Sequence, residues 1–285
     1  MESNNPATFT HFKGKTRSEI EWSIYVGDAC EVLKFLPDDA FDCVITSPPY
    51  FWLRDYGIDE QIGHEDTVQS YVSAIADVMT EIYRVLSPEG LLFLNLGDTY
   101  YSGKGKSHGE DPKSSRRRFG LRAVDKSGGM GIGLEKKTMI GIPWRVAIEM
   151  TQRGWVLRSS IIWNRVRRLR ESVQDRPRRS HEFVFMFAKS RYYYFNRQPL
   201  KDHDEEDIWE IPASKANNGV DTAPFPKELV ERCLEIGCKP GGAVLDPFAG
   251  RGTTLKAALE SGRPATGIDL NSEFCEYAAE QLQSL

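Results

Sequence analysis

The sequence predicts an α/β protein built on a mixed sheet, with an antiparallel hairpin at one sheet edge. Three observations carry that expectation. Short apolar runs rich in β-branched and aromatic residues recur along the chain, and most are separated by stretches of helical periodicity. One pair of such runs is joined instead by an Arg-rich connection with no helical period, which predicts a hairpin. The 285 residues suffice to bury a large core around one sheet, and no linker splits them into independent domains.

Taken in order, the first 20 residues (MESNNPATFTHFKGKTRSEI) lack an apolar run and read as a flexible N-terminal arm, leaving 21–285 as the folded domain. Strands are expected at 22–26, 41–46, 91–96, 156–163, 182–188, 243–246 and 265–269, where residues such as WSIYV and LLFLNL suit a pleated, buried surface. Helices are expected at 29–36, 68–86, 143–152, 226–236, 253–260 and 272–282. The longest, VQSYVSAIADVMTEIYRVL, repeats its apolar residues every three or four positions and is stopped by Ser87-Pro88-Glu89-Gly90. The runs at 156–163 and 182–188 form the expected hairpin. Residues 100–138 are irregular, hold eight of the 24 glycines and carry Ser-Ser-Arg-Arg-Arg at 114–118. A loop of that length in a compact domain is uncommon and usually functional or mobile.

Composition excludes several classes. No stretch approaches the roughly 18 uncharged apolar residues of a spanning helix, and the N-terminus lacks the apolar centre of a signal peptide, so a cytoplasmic protein is expected. The five cysteines form no C-x-x-C pair, which argues against both a disulfide framework and a zinc cluster. The histidines show no ligand spacing such as H-E-x-x-H, and no metal is expected. The formal net charge of −4 conceals segregation of sign. Residues 104–137 carry ten Lys or Arg against four Asp or Glu, and residues 165–191 carry nine against three, so each segment is +6 and the remainder −16. Such asymmetry suits a polyanion-binding face on an otherwise acidic body.

Two motifs carry chemistry. Val244-Leu245-Asp246-Pro247-Phe248-Ala249-Gly250-Arg251-Gly252-Thr253-Thr254 is a strand and a Gly-rich turn before a helix, and a second short strand then ends on Asp269, 19 positions after Gly250. Glycines let a ligand approach the backbone, and a carboxylate at that later position can take both hydroxyls of a ribose. The turn lacks the full G-x-G-x-x-G, so an adenosine ligand without a pyrophosphate fits better than a dinucleotide; a purely structural βα turn is the alternative. The second motif is Ser47-Pro48-Pro49-Tyr50 at the end of an apolar strand. Two prolines remove two backbone donors and leave carbonyl acceptors, which beside an aromatic ring suit a planar substrate bearing an exocyclic amine. Alone, it would also serve as a strand-terminating turn with a core tyrosine.

Together these motifs resemble the S-adenosylmethionine-dependent amino methyltransferases of DNA. Ser47-Pro48-Pro49-Tyr50 is similar to their catalytic motif in the serine form typical of cytosine-N4 enzymes, and Asp246-Pro247-Phe248-Ala249-Gly250-Arg251-Gly252 is similar to their cofactor motif. The catalytic motif precedes the cofactor motif, which resembles the circularly permuted β class. Further similar pieces are Tyr25-Val26-Gly27-Asp28-Ala29, Arg84-Val85-Leu86-Ser87-Pro88-Glu89-Gly90, Ser180-His181-Glu182 and Ala223-Pro224-Phe225-Pro226-Lys227-Glu228-Leu229.

The resemblance implies a Rossmann-like methyltransferase fold and a site-specific enzyme that flips a base out of duplex DNA and methylates the N4 amine of cytosine. Adenine-N6 methylation is the alternative within the same chemistry, and a catalytically silent DNA-binding protein of the same fold the alternative outside it. S-adenosylmethionine is the implied cofactor. Phe248, Gly250 and Gly252 would shape the methionine pocket, with Asp246 near its amino group, Asp269 on the ribose and Asp28 close to the adenine. Thr222, Phe225 and Pro226 would close over the methionine end. Ser47 and the Pro48 carbonyl would accept the amine's N–H bonds, Pro49 would stiffen the turn, and Tyr50 would stack on the flipped base. Cytosine-C5 chemistry is excluded, because that family uses a Pro-Cys nucleophile and this chain has no such dipeptide. Where many relatives have a Lys-Pro-Asn-type segment lining the base pocket, this chain reads Asn164-Arg165-Val166-Arg167-Arg168-Leu169-Arg170. Arg165, Arg167, Arg168 and Arg170, with Arg116, Arg117 and Arg118, are the expected DNA contacts, mostly to phosphate. DNA recognition is expected over about 164–220 and in the basic loop 100–138. Partners implied are double-stranded DNA, with room for a homodimer and for a cognate restriction endonuclease acting on the same site.

Overall fold

A computed structural model describes residues 9–51, 61–101, 134–166, 173–201, 206–213 and 226–285. The predicted residues Thr222, Phe225, Arg116, Arg117, Arg118, Arg167, Arg168 and Arg170 lie outside them, as does most of the 100–138 loop.

Among the described residues the chain alternates strands and helices: β1 (Thr10–Lys15), β2 (Glu21–Val26), α1 (Ala29–Leu33), β3 (Phe41–Thr46), α2 (Val68–Val85), β4 (Leu86–Leu96), α3 (Ile142–Gln152), β5 (Val156–Asn164), β6 (His181–Ala188), α4 (Gln198–Lys201), β7 (Ile208–Glu210), α5 (Lys227–Gly237), β8 (Val244–Asp246), α6 (Thr253–Glu260), β9 (Ala265–Asp269) and α7 (Ser272–Gln283). The strands form one sheet in the order β1-β2-β9-β8-β3-β4-β6-β5-β7. The run from β2 to β4 is parallel throughout, and β6 lies antiparallel between β4 and β5. The sheet is therefore mixed, as the sequence predicts.

Strand alternation builds two cores. Leu91 and Phe93 face one side with Cys43, Ile45 and the buried residues of α5, α6 and α7. Leu92, Leu94 and Leu96 face the other, against α1, α2 and α3. Helix α2 buries Val68, Tyr71, Val72, Ile75, Val78, Met79, Ile82 and Val85, the spacing of one helical face, and Thr67 caps its start by accepting the Ser70 N–H. No helix among the described residues is long and apolar enough to cross a membrane.

Three expectations are corrected. The arm expected over residues 1–20 contains strand β1, which pairs antiparallel with β2 from Thr10↔Val26 to Lys15↔Glu21. Its alternation is weak because Phe12 is the one apolar side chain on its half-buried face, too little to make a stripe. The hairpin of β5 and β6 is not at the sheet edge: the three-residue β7 pairs with β5 beyond it, held by the buried Trp163 indole, whose N–H donates to the Ile211 carbonyl at 2.8 Å. The strand expected from 91 begins at Leu86, because the Ser-Pro-Glu-Gly stop leads directly from helix into strand.

The parallel strands all point the same way, so the residues at their carboxyl ends share one rim of the sheet: Asp28 after β2, Asp269 on β9, Asp246 on β8, Ser47 after β3 and Asp98 after β4. Ligands of open α/β sheets bind at this rim. Arg165, after β5, and Glu182, near the start of antiparallel β6, join it.

Candidate active site

One half of the rim is the turn from β8 into α6. Gly250 and Gly252 take positive φ values of +52° and +81°. A Cβ on Gly252 would stand 3.0 Å from Ala278 of α7, whereas beside Gly250 a Cβ would meet open space. The first glycine leaves room above the turn and the second lets the turn pack closely. Asp269 is oriented by the same turn: one carboxylate oxygen accepts the Gly250 N–H at 2.8 Å and the other the Asn271 N–H at 2.9 Å. Each oxygen keeps acceptor capacity for a further donor. Burial pushes the Asp269 carboxyl above the usual range, and its two backbone bonds oppose that. One strand over, Asp28 caps α1 by accepting the Glu31 N–H at 3.0 Å, and the Gly27 N–H ties the end of β2 to the Asp269 carbonyl. The turn thus brings together an anchored carboxylate with acceptor capacity left and a glycine beside which a Cβ would meet open space.

Asp246 sits below this turn, 2 % exposed. Its Oδ1 accepts the Thr46 hydroxyl at 2.7 Å and the Phe248 N–H at 3.1 Å, and its Oδ2 accepts the Thr254 hydroxyl at 2.6 Å. The carboxylate thus ties the end of β3 to both limbs of the turn. Burial pushes its pKa up to about 6 against these three donors. Pro226, buried, precedes α5; the far end of that helix adjoins the start of β3 through Lys239 and Asp42, 2.8 Å apart, so Pro226 stands toward the rim.

The other half of the rim is the Ser-Pro-Pro-Tyr turn. The Tyr71 hydroxyl of α2 donates to the Pro49 carbonyl at 2.8 Å. No described residue donates to the Pro48 carbonyl. Of the two prolines, one therefore has its acceptor engaged and the other has it to offer. Tyr50 folds inward: its hydroxyl donates to Glu182 Oε2 at 2.6 Å and lies 3.3 Å from Asn95 Oδ1. Glu182 is also bound by the Asn95 amide at 3.3 Å and, through Oε1, by Arg165 at 2.7 Å. Burial, the Glu182 charge and the bond to it hold the Tyr50 hydroxyl protonated, well above its usual range; interaction with the Ser47 hydroxyl opposes this weakly. Gly97 makes room for the ring, since a Cβ there would lie 2.7 Å from Tyr50 Cε2.

The described ends of the two basic segments meet beside Tyr100, which follows β4. The Arg176 guanidinium lies over the Tyr100 ring at 3.8 Å with Arg179 at 5.6 Å, and Lys137 pairs with Asp175 at 2.5 Å. Tyr100 and Lys137 flank the glycine-rich basic stretch, and the arginines belong to the connection between β5 and β6. Of the predicted residues, Ser47, Pro48, Pro49, Tyr50, Asp28, Asp246, Phe248, Gly250, Gly252, Asp269, Pro226 and Arg165 all stand along this rim. Sequence reasoning did not single out Asn95, Gly97 and Tyr71. Glu182 was present in a quoted motif, but its partner Tyr50 is 132 residues away and only the sheet order joins them.

Residues 41–280 match the family model described as DNA methylase. The type II methyltransferase M.XycI of Xanthomonas campestris pv. cyanopsidis is 40% identical over 268 residues, covering 92% of this chain and 87% of that protein. Among solved structures, the PvuII DNA methyltransferase (cytosine-N4-specific) superposes with a TM-score of 0.70 at 20% identity, over 93% of this chain and 86% of the other. TTHA0409 of Thermus thermophilus, complexed with S-adenosyl-L-methionine, gives 0.63 at 26% identity over 91% of this chain and 92% of the other.

Proposed function

This chain belongs to the N6 and N4 DNA methylase family, and from that membership we propose that it transfers a methyl group from S-adenosylmethionine to the exocyclic N4 of cytosine in duplex DNA. That it is an S-adenosylmethionine-dependent DNA amino methyltransferase follows from the family; the base, the site residues and the partners are our reading. The observation that carries the reading is the pair of acceptors at the turn: the Ser47 hydroxyl and the Pro48 carbonyl, with the neighbouring Pro49 carbonyl already engaged by Tyr71. Serine at the first position is the form typical of the cytosine-N4 enzymes that the turn resembles.

When bound, S-adenosylmethionine supplies a methyl group activated by a sulfonium. The protein must then improve the nucleophile, an aromatic amine whose lone pair is delocalised into its ring. Ser47 and Pro48 accept its two N–H bonds, draw the nitrogen toward tetrahedral geometry and stabilise the positive charge that develops there. No strong base is required. Tyr50 is held by Glu182 and Asn95 with its ring at the turn, where it can stack on the extruded base and offset part of an unstacking cost of about a few kcal/mol. Asp269 takes the ribose hydroxyls, Gly250 admits the methionine end, and Asp28 lies toward the adenine. The described ends of the basic segments meet at Tyr100, and these segments would hold DNA phosphates, making residues about 164–220 and 100–138 the recognition region. A cognate restriction endonuclease acting on the same site would suit a protein whose relatives are type II methyltransferases, and a homodimer is compatible with the fold.

Nucleoside mass spectrometry of DNA from cells expressing the protein tests the base directly. N4-methylcytosine is the expected product. N6-methyladenine alone would overturn the cytosine reading while leaving the family intact.

A further inference from the structure

Ser47 and Pro48 accept N–H bonds, and an acceptor pair sees only an amine; both cytosine and adenine carry one. Base choice needs a group that reads the atoms beside the amine. Arg165 occupies the position for it. It follows β5 at the rim, its backbone N–H donates to the Ser180 carbonyl at 2.7 Å, and its side chain is 14% exposed. One guanidinium nitrogen, Nη1, is bound by Glu182 Oε1 at 2.7 Å, while Glu182 Oε2 takes the Tyr50 hydroxyl at 2.6 Å. A single carboxylate therefore fixes Arg165 relative to the catalytic turn. The guanidinium is planar and carries five N–H donors. No described residue takes the donors on Nε and Nη2.

The turn thus offers the Pro48 carbonyl, with the Ser47 hydroxyl beside it in contact with Tyr50, and, across one carboxylate, unused donors. A matching ligand edge carries an amine followed by acceptors. Cytosine has that edge: its N4 amine is followed by N3 and O2, both acceptors. Adenine has the N6 amine and the N1 acceptor, and then a C–H that cannot use a second donor. We propose that Arg165, oriented by Glu182, donates to N3 and O2 of the extruded cytosine and is the residue that selects the base. This rests on the cytosine-N4 reading above.

The test is a two-by-two comparison. The methylated position in plasmid DNA from a methylation-deficient host is first mapped, and a duplex oligonucleotide is made with cytosine or 3-deazacytosine at that position, the analogue replacing the N3 acceptor by C–H. Single-turnover transfer of tritiated methyl is measured for the wild type and for Arg165→Lys, which keeps the ion pair with Glu182 but loses the planar fork. The analogue should slow the wild type roughly tenfold to a hundredfold, the range of a lost charge-assisted hydrogen bond. Arg165→Lys should be slowed to a similar extent on cytosine, with little further loss on the analogue, while its S-adenosylmethionine affinity by calorimetry stays unchanged. If the wild type methylates both bases equally fast, the assignment is wrong, whatever the variant does. If the two losses multiply, Arg165 acts only as scaffold and the assignment is again wrong. Either outcome with N4-methylcytosine as product removes Arg165 alone, whereas N6-methyladenine as the sole wild-type product removes the cytosine reading beneath it.

Discussion

Replacing Asp246 by asparagine should make the protein more stable at neutral pH and a weaker binder of its cofactor. The buried carboxyl titrates at about 6, against 3.8 for the same group in water. Between those values the folded state holds a proton that the unfolded state has released, so stability falls as pH rises from about 4 to about 6, and the full penalty is present above that window. A gap of about two units at about 1.4 kcal/mol each gives a penalty of about 3 kcal/mol at pH 7.5. Asparagine has the same shape. Its carbonyl can accept the Thr46 hydroxyl and the Phe248 N–H, and its amide can donate to the Thr254 hydroxyl, which accepts as readily as it donates. Urea denaturation of both proteins across pH 4 to 8, compared as differences so that other titrating groups cancel, should show a gap in favour of Asp246→Asn that is near zero at pH 4 and grows to about 3 kcal/mol above pH 7. The positively charged methionine end of S-adenosylmethionine would lose a carboxylate beneath the turn that the reading above places near it, so calorimetric affinity should drop. A variant less stable than the wild type at pH 7.5, or a gap that does not change with pH, would refute the reasoning.

Three further outcomes are expected. Gly97→Ala should lower turnover strongly with cofactor affinity nearly unchanged, since the new methyl would meet Tyr50 Cε2 at 2.7 Å; kcat and calorimetry on one preparation check it. Asp269→Ala should do the reverse, weakening S-adenosylmethionine by about 1.5–3 kcal/mol for a lost charge-assisted bond, read as Kd. DNA binding should weaken steeply with salt despite the net charge of −4. Replacing Arg167, Arg168 and Arg170 together by alanine should lower the slope of log affinity against log salt by up to about 2.7 if all three hold phosphates, and an unchanged slope and affinity would mark them as a solvated face.

What the sequence conveyed depended on how local each signal was. Helix α2 was legible because nineteen consecutive residues repeat one apolar face and end in a proline and a glycine. The turn after β8 was legible because glycine and acidic residues fall at a spacing set by one βα unit. Strand β1 was missed because its half-buried face carries one apolar side chain, Phe12, and β7 because three residues cannot establish a period. The cluster of Tyr50, Asn95, Arg165 and Glu182 was missed for another reason. Its members come from the turn after β3, from β4, from β6 and from the residue after β5, and only the antiparallel insertion of β6 beside β4 brings them together. The arginine was noticed as charge; that its charge is spent on a carboxylate of the next strand is a property of register.

The position of β8 and β9 between β2 and β3 has a consequence for how the chain acquires its structure. Cys43 pairs with Val244 and Trp22 with Ala265, contacts more than two hundred residues apart. Until β8 and β9 have left the ribosome, no strand pairing joins the β1–β2 ribbon to the β3–β4 block, and each presents an open strand edge where the missing pair will sit. Such edges invite pairing with other chains, and closing so long a loop is slow. Both conditions last until β9, ending at Asp269, has emerged, so the sheet closes late relative to the synthesis of β1 to β4. The yield of folded enzyme should then depend on translation rate, temperature and chaperone supply more than its final stability would suggest.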